Sequence, residues 1–180
     1  LTDITDAKPG TPLAQALGLD DVIFDIEVTS NRVDCKSILG QAREGSAVTG
    51  GTFNYPKNEL KKVSHGKFVF QIENKEPELC PKYCAALIEG VRIAPSPWWL
   101  QKKLLMAGFK PINNLVDITN YVLHEYGQPL HTFDADKLDG KQIVVRKAKK
   151  NEKFLALDGK ECSLSADMLV IADAKRAVAV

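Results

Sequence analysis

The stretch DITNYVLHEYGQPLHTF, residues 117–133, contains side chains that could hold a water molecule beside an ester. Thr119 and Asn120 provide a hydroxyl and an amide. His131 follows a stiff Gly-Gln-Pro turn and provides an imidazole that can donate or accept a proton near neutral pH. Together these three groups could orient a water or hold an ester carbonyl. A structural role, in which His131 is a hydrogen-bonded part of the turn, also fits the residue types.

The chain lacks the sequence motifs of several other common catalytic and binding sites. The segment DADKLDG, residues 134–140, superficially resembles a calcium loop, which needs acidic ligands at positions one, three and five, Gly at six and Glu at twelve. Here Leu138 is fifth, Gly140 comes one residue late and Val145 is twelfth. No GxxxxGK[ST], GxGxxG or GxSxG sequence occurs. We therefore predict no metal site and no nucleotide-binding catalytic core.

The composition favours a globular protein without a strong overall electrostatic field. The chain has 180 residues, 44% of them hydrophobic, and a net charge of +1. This length suits one medium domain or two small ones, and the weak charge does not by itself attract nucleic acid or membrane. Basic residues cluster within 57–67 and 146–153, where a solvated surface is the ordinary interpretation and phosphate contact the alternative.

Cysteine usage and the termini suggest a cytoplasmic piece of a longer protein. Cys80 and Cys84 have no second pair at zinc spacing, so reduced thiols are expected. The first residue is Leu, no signal peptide follows, and no apolar run reaches the roughly 18 residues of a membrane span. The chain ends inside an apolar, strand-like run, and we expect more sequence beyond it.

Two helices must position the candidate residues. The first follows PSP, with Ser96 as a candidate N-cap, Pro97 at the first helical position and Gly108 as a left-handed stop. The second is capped by Asn113 or Asn114 and ends at Gly127. Its predicted buried stripe consists of Leu115, Ile118, Val122 and Tyr126.

The other segments complete a predicted α+β fold, with a small helix-containing lobe followed by a larger mixed α/β layered lobe and an incomplete sheet. A short helical turn is expected near 12–17, and a helix capped by Asp34 should end at Gly50. Small residues such as Gly40 and Gly45 within that helix suggest close packing. The predicted strands are segments 21–29, 67–74, 83–93, 141–148, 152–159 and 167–173, with Asp-Gly turns at 139–140 and 158–159.

Two long motifs point to a known family. DIEVTSNRVDCKSILGQARE and the segment from SPWWLQKK to KQIVVRKA closely resemble the beta subunit of bacterial phenylalanyl-tRNA synthetases. The resemblance covers nearly the whole chain. It implies that residues 1–51 are the second segment of a discontinuous first domain, that 52–66 are a linker, and that 67–180 begin the third and fourth domains, which form the editing module.

The resemblance also implies a function. Enzymes of this family join phenylalanine to tRNA(Phe) with ATP and magnesium, as tetramers of two alpha and two beta chains. The synthetic site lies on the alpha subunit, so no cofactor is expected on this chain. The beta module hydrolyses tyrosine wrongly joined to tRNA(Phe). Thr119, Asn120 and His131 match editing-pocket positions, and Lys110 stands where relatives often have Arg at a tRNA contact. Lysine keeps the charge but loses the planar fork.

Alternatives remain open at this point. The family's glycine-rich loop and the glutamate that reads the tyrosine hydroxyl would lie beyond Val180, so the resemblance implies an incomplete pocket with little deacylase activity in this piece. The same fold could instead serve as a non-catalytic module for tRNA binding or subunit docking. A free-standing editing factor is disfavoured by the first-domain segment. His131 could act as a general base or only as a hydrogen bonder.

Overall fold

The computed structural model describes residues 5–57 and 69–180. The chain forms two compact units, each built from two stretches: Leu1–Glu59 with Arg92–Thr132, and Leu60–Val91 with Phe133–Val180. Within the described ranges the α-helices belong to the first unit and the β-strands to the second. Separate helices and an open sheet confirm the predicted α+β class. The assignment of 1–51, 52–66 and 67–180 to family domains stays a prediction.

Four helices form the first unit. Their bounds are α1 Leu13–Leu17, α2 Ile38–Thr49, α3 Trp98–Met106 and α4 Asn114–Tyr126. All four were predicted. Gly108 adopts φ +80° just after α3, and the Phe109 amide donates to the Leu104 carbonyl at 2.8 Å. This closure is the left-handed helix stop that the sequence predicts.

The residue that caps α2 is not the predicted one. Ser37 precedes the helix, and its hydroxyl accepts from the Gly40 amide at 3.1 Å. Asp34 lies instead in a 3₁₀ helix, Val33–Lys36, and its carboxylate pairs with Arg32 at 3.2 Å. The extra 3₁₀ turn places Asp34 three residues too early to reach the free amides of α2, so the predicted Asp34 cap was wrong.

Close packing explains one glycine of α2. A Cβ atom on Gly40 would lie 1.8 Å from the Asp34 carbonyl oxygen, so only glycine lets the 3₁₀ turn lie against the helix. Gly45 has nothing within 4 Å of the equivalent position. The prediction of close packing is therefore confirmed at Gly40 and wrong at Gly45.

Two predicted strands do not form. Residues 21–29 and 83–93 have no strand hydrogen bonding within the described chain. Their apolar side chains face solvent, with Phe24 79% and Ile88 72% exposed. An alternating pattern makes a strand only where a second strand supplies the matching backbone groups, and the described residues supply none for these two segments.

A four-stranded open sheet forms the second unit. Its order is β1 (Gln71–Asn74), β2 (Gln142–Lys147), β5 (Leu169–Ala172) and β6 (Ala177–Ala179). β1 runs parallel to β2, while the pairs β2–β5 and β5–β6 are antiparallel. Ile143, Val144 and Val145 of β2 are all buried, as expected for a strand covered on both faces.

A hairpin completes the second unit. β3 (Glu152–Leu155) pairs antiparallel with β4 (Glu161–Leu164), and the Asp158-Gly159 turn joins them as predicted. β4 was not predicted from the sequence, whereas β6 lies in the terminal run that was predicted to be strand-like. Asp139-Gly140 does not join two strands, because it lies in a 3₁₀ turn that leads into β2. The core of this unit consists of Ala148, Leu164, Val170, Ala172 and Ala177, with Phe154 against it.

The basic clusters differ from their predicted interpretation. Arg146 is 15% exposed and forms a bidentate pair with Glu152, so this member of the second cluster is not a solvated charge. Lys149, Lys150 and Lys153 are exposed. Residues 58–66 of the predicted linker, and with them most of the first cluster, lie outside the described residues.

Candidate functional site

Helix α4 carries two of the three predicted site residues. Its first turn is capped by Asn113, whose side-chain oxygen accepts from the amides of Leu115 and Val116 at 3.1 Å. Its last turn closes at Gly127, which adopts φ +74° and donates to the Leu123 carbonyl at 2.8 Å. Both ends are as predicted, so local sequence alone determines the length of this helix.

The buried side of α4 is polar and aromatic. Asp117 is completely buried, Tyr121 meets the Trp99 ring edge-on at 5.8 Å, and His124 meets Phe109 edge-on at 5.7 Å. Trp99 belongs to α3, and Phe109 lies just beyond the end of α3. The α3 region therefore contacts the side of α4 that contains Asp117, Tyr121 and His124.

The predicted buried stripe of α4 was wrong. Ile118 is 50% exposed, and its companions Leu115, Val122 and Tyr126 are only half-buried. On an ideal helix these four residues lie on the side opposite Asp117. The apolar pattern predicted the correct helical period. It did not predict the packed face, because hydrogen bonds of Asp117 hold that carboxylate in the interior.

Thr119 and Asn120 are half-buried neighbours on α4. The Thr119 hydroxyl donates to the Val116 carbonyl at 2.7 Å, so its proton is committed to the helix. Its oxygen keeps lone pairs that can accept from a water molecule. Among the described residues no hydrogen bond involves the side-chain amide of Asn120, which can both donate and accept. The two side chains point about 100° apart around the helix axis.

His131 and Lys110 flank α4 in the same compact unit. His131 lies five residues beyond the end of the helix, in a segment without regular structure, and is exposed. Lys110 lies between α3 and α4 and is also exposed. The first unit thus contains all four predicted residues, on one helix and the segments at its two ends. Their roles stay predictions.

The aromatic contact between α3 and α4 includes a charge. The Lys103 ammonium lies 5.2 Å from the Tyr121 ring centroid and donates to its hydroxyl at 3.2 Å. Burial raises the pKa of Tyr121, and a hydrogen bond with Glu125 acts in the same direction. The phenol is therefore held in its neutral form, and its contacts with Trp99 and Lys103 pack α3 against α4.

Sequence reasoning missed the buried pair that holds this region. Ser96 is 5% exposed, and its hydroxyl donates to Asp117 Oδ2 at 2.5 Å. We predicted Ser96 as the N-cap of α3, but α3 begins at Trp98, and Pro97 precedes it without a side-chain cap. The sequence offered two signals, an acidic residue in the first turn of α4 and a serine before a proline. Each has a local explanation, so neither signal predicts that Asp117 and Ser96 pair.

A polar cavity of about 230 Å³ lies on the sheet of the second unit, and none of the predicted site residues lines it. Its charged lining consists of Glu73, Lys75, Arg146, Lys149, Asp173 and Lys175. Most of its cations are paired, Lys75 with Glu73 at 3.4 Å and Lys175 with Asp139 at 2.8 Å. Its four cations outnumber its two carboxylates, but among the described residues Lys75, Arg146 and Lys175 each have a carboxylate partner, so the lining favours no particular ligand.

The described residues also contain no cluster of three or more His, Cys, Asp or Glu side chains arranged to hold a metal ion. No described helix has the length and apolar character needed to cross a membrane.

Comparison with known proteins adds the family. Residues 79–180 match the family model of the B3/4 domain. The chain belongs to the B3/4 domain family. The matched range includes α3, α4, His131 and most of the second unit, so both compact units contribute to this B3/4 domain.

Relatives extend the match beyond the B3/4 domain. A protein named phenylalanine--tRNA ligase beta subunit from Moorella thermoacetica is 50% identical over 97% of this chain. Proteins of the same name from Carboxydothermus hydrogenoformans and Geobacter sulfurreducens are 46% and 48% identical over 97% and 98% of it. The chain spans 22% of the length of each of these relatives.

Proposed function

We propose that this chain is the B3/4 region of a phenylalanine--tRNA ligase beta subunit, and that α4 contributes to hydrolysis of tyrosine wrongly joined to tRNA(Phe). The observation that carries the proposal is the 50% identity over 97% of the chain to a protein of that name. The whole enzyme would pair this subunit with an alpha subunit, as an alpha2-beta2 assembly in the cytoplasm. ATP and magnesium would serve the synthetic site on the alpha subunit, and no step proposed here uses them.

A separate hydrolytic site has a physical reason. Tyrosine is phenylalanine with one added hydroxyl, and a hydrophobic synthetic pocket rejects such an analogue only about 10²-fold. A second site can reverse the selection by bonding the hydroxyl, because phenylalanine then leaves a buried partner unpaired. Ester hydrolysis at that site needs a water held close to the carbonyl carbon.

The described side chains suit that task. Thr119 offers an acceptor to water, because its hydroxyl proton is already bonded to the Val116 carbonyl. The Asn120 amide can donate to an ester carbonyl and accept from a water or a ribose hydroxyl. His131, exposed beyond the helix, can approach the ester as a hydrogen-bond donor or remove a proton from the water. Lys110 would contact the phosphates of the tRNA end.

Deacylation of tyrosyl-tRNA(Phe) by the whole alpha-beta enzyme tests the proposal. We expect Thr119→Ala and His131→Ala to slow deacylation by about 10- to 100-fold, with aminoacylation unchanged. Gln128→Ala is the matched control, since Gln128 is exposed in the same segment as His131. Equal rates in all variants would favour the alternative, a non-catalytic module for tRNA binding or subunit docking.

A second variant separates the two roles of His131. Glutamine keeps hydrogen-bonding groups but cannot take a proton near neutral pH. If His131 only positions the ester, His131→Gln should retain a rate within about 10-fold of the parent enzyme. If it is the general base, the rate should fall like that of the alanine variant.

A further inference from the structure

One buried carboxylate connects three segments of the first unit. Asp117 Oδ1 accepts from the Ile112 amide at 2.8 Å, and Oδ2 accepts from the Ser96 hydroxyl at 2.5 Å. Asp117 is 0% exposed and Ser96 is 5% exposed. A carboxylate persists in the interior only when such donors satisfy it. Helix α4 is thereby joined to the segment that precedes α3, through Ser96, and to the α3–α4 loop, through Ile112.

The neighbouring side chains reinforce this attachment. Asn114 accepts from the Ala94 amide at 3.2 Å and donates to the Arg92 carbonyl at 2.9 Å. Asn113 caps the helix at the same end. Polar contacts of defined direction therefore fix the first turn of α4. Hydrogen bonds weaken steeply when their geometry is distorted, so these contacts restrict rotation of the helix.

Rotation of α4 would matter for the residues that follow. Thr119 and Asn120 lie two and three positions after Asp117. Their tips lie about 5–6 Å from the helix axis, so a rotation of about 20° moves them by about 2 Å. A misplacement of 1 Å can reduce a rate about 100-fold when groups must hold a reactant in line.

We infer that Asp117 and Ser96 form a positioning pair that sets the direction of Thr119 and Asn120 in the hydrolytic site. The inference rests on the proposed function. Neither residue touches the aminoacyl ester. Their contribution is the orientation of α4, which the bond between them transmits to the next turn of the helix.

The test is a mutant cycle in the whole alpha-beta enzyme. We expect Ser96→Ala to lower kcat for deacylation of tyrosyl-tRNA(Phe) about 10-fold with little change in KM. In an enzyme that already carries Thr119→Ala and Asn120→Ala, Ser96→Ala should lower kcat by less than about twofold, because the side chains that Ser96 positions are absent. Ser46→Ala is the matched control, since among the described residues the Ser46 hydroxyl bonds only the nearby Arg43 carbonyl on α2.

A conservative change gives an independent readout. In Asp117→Asn the amide oxygen can still accept from Ile112, and its N–H can donate to Ser96, whose hydroxyl can turn to accept. We expect this variant to keep deacylation within about threefold of the parent. Asp117→Ala, which leaves both donors unpaired, should lose it about 100-fold while aminoacylation persists.

The outcomes separate the two proposals. A deacylation rate that depends on Thr119 and Asn120, but falls by the same factor with Ser96→Ala in both backgrounds, would overturn the positioning role and leave the proposed function intact. A deacylation rate that does not change when Thr119 and Asn120 are replaced would overturn the proposed function and this inference with it. A large loss in Asp117→Asn together with equal losses in the cycle would show that Asp117 only supports the fold.

Discussion

Replacing Glu152 with Gln should destabilise the second unit strongly. The Glu152 side chain is 10% exposed and accepts from both terminal nitrogens of Arg146, at 2.8 and 2.7 Å. It also accepts from the Lys149 amide at 2.8 Å and the Ala177 amide at 3.1 Å. One carboxylate therefore joins β2, the following turn and β6. Glutamine has nearly the same shape but carries no charge and presents an N–H₂ to a site made of donors.

The magnitude follows from the carboxyl pKa. The hydrogen bonds from Arg146, followed by those from the backbone amides, lower the pKa of Glu152 from its ordinary 4.5 to about 2, although burial opposes the change. At about 1.4 kcal/mol for each pKa unit, the charged form contributes about 3 kcal/mol to the free energy of unfolding at neutral pH. This estimate agrees with the roughly 3–5 kcal/mol that removal of one partner from a buried ion pair costs.

The pH dependence of the free energy of unfolding tests the direction of this effect. Because the folded-state pKa is lowered, the contribution is complete above about pH 4.5 and is lost as the pH falls toward 2. More than half of it should be gone at about pH 3. The difference between the parent chain and Glu152→Gln should shrink over the same range.

Native-state hydrogen exchange is a suitable assay, because it resolves the two units separately. Exchange of the β2 and β5 amides should accelerate about 100-fold in Glu152→Gln at neutral pH. Glu161→Gln is the matched control: Glu161 pairs with Lys153 at 2.9 Å, but both side chains are about two-thirds exposed, so its effect should stay below about 1 kcal/mol. Equal effects of the two substitutions, or a Glu152 effect that persists at about pH 2, would refute the reasoning.

Two further predictions concern the helices of the first unit. Gly40→Ala should lower the free energy of unfolding by about 1–3 kcal/mol, because its Cβ would overlap the Asp34 carbonyl, whereas Gly45→Ala on the same helix should raise it by roughly 0.5–1 kcal/mol. Urea unfolding measures both free-energy changes when it is followed by the fluorescence of the tryptophans, which lie in this unit. A Gly40→Ala variant as stable as the parent chain would contradict the packing argument. Asn113→Ala should lower the free energy of unfolding by about 1 kcal/mol because it removes the cap of α4, while Asn113→Asp should change it little. Thermal unfolding measures both variants, and equal losses would show that the cap contributes nothing.

Three helix ends of the first unit could be predicted from the sequence, because their signals are local. Asn113, Gly108 and Gly127 act on amides and carbonyls within a few residues, so the same chemistry operates wherever the helix lies. The cap of α2 shows the limit. Asp34 and Ser37 are both capable capping residues, and the 3₁₀ turn between them decided in favour of Ser37.

Strands depended on partners that the sequence does not identify. Segment 21–29 alternates clearly but pairs with no strand among the described residues, whereas β2, a continuous apolar run, is paired on both sides by β1 and β5. The short, weakly patterned β4 and β6 formed because β3 and β5 supply their hydrogen-bonding groups. Pairing is a property of two segments, and alternation within one segment measures only its suitability.

For the candidate site, the sequence predicted the residues, and the tertiary structure decided which contacts hold them. Thr119, Asn120 and His131 are predicted from residue type and from the family resemblance, and the caps place two of them on one helix. The burial of Asp117 against Ser96 was not recognisable, because those residues are 21 positions apart and each has an adequate local explanation. The bonded charge of Glu152 was equally hidden within a run of apparently solvated residues. Hydrogen bonds to backbone neighbours follow from the order of residues, but the desolvation that makes a buried carboxylate strong arises only when distant segments close around it.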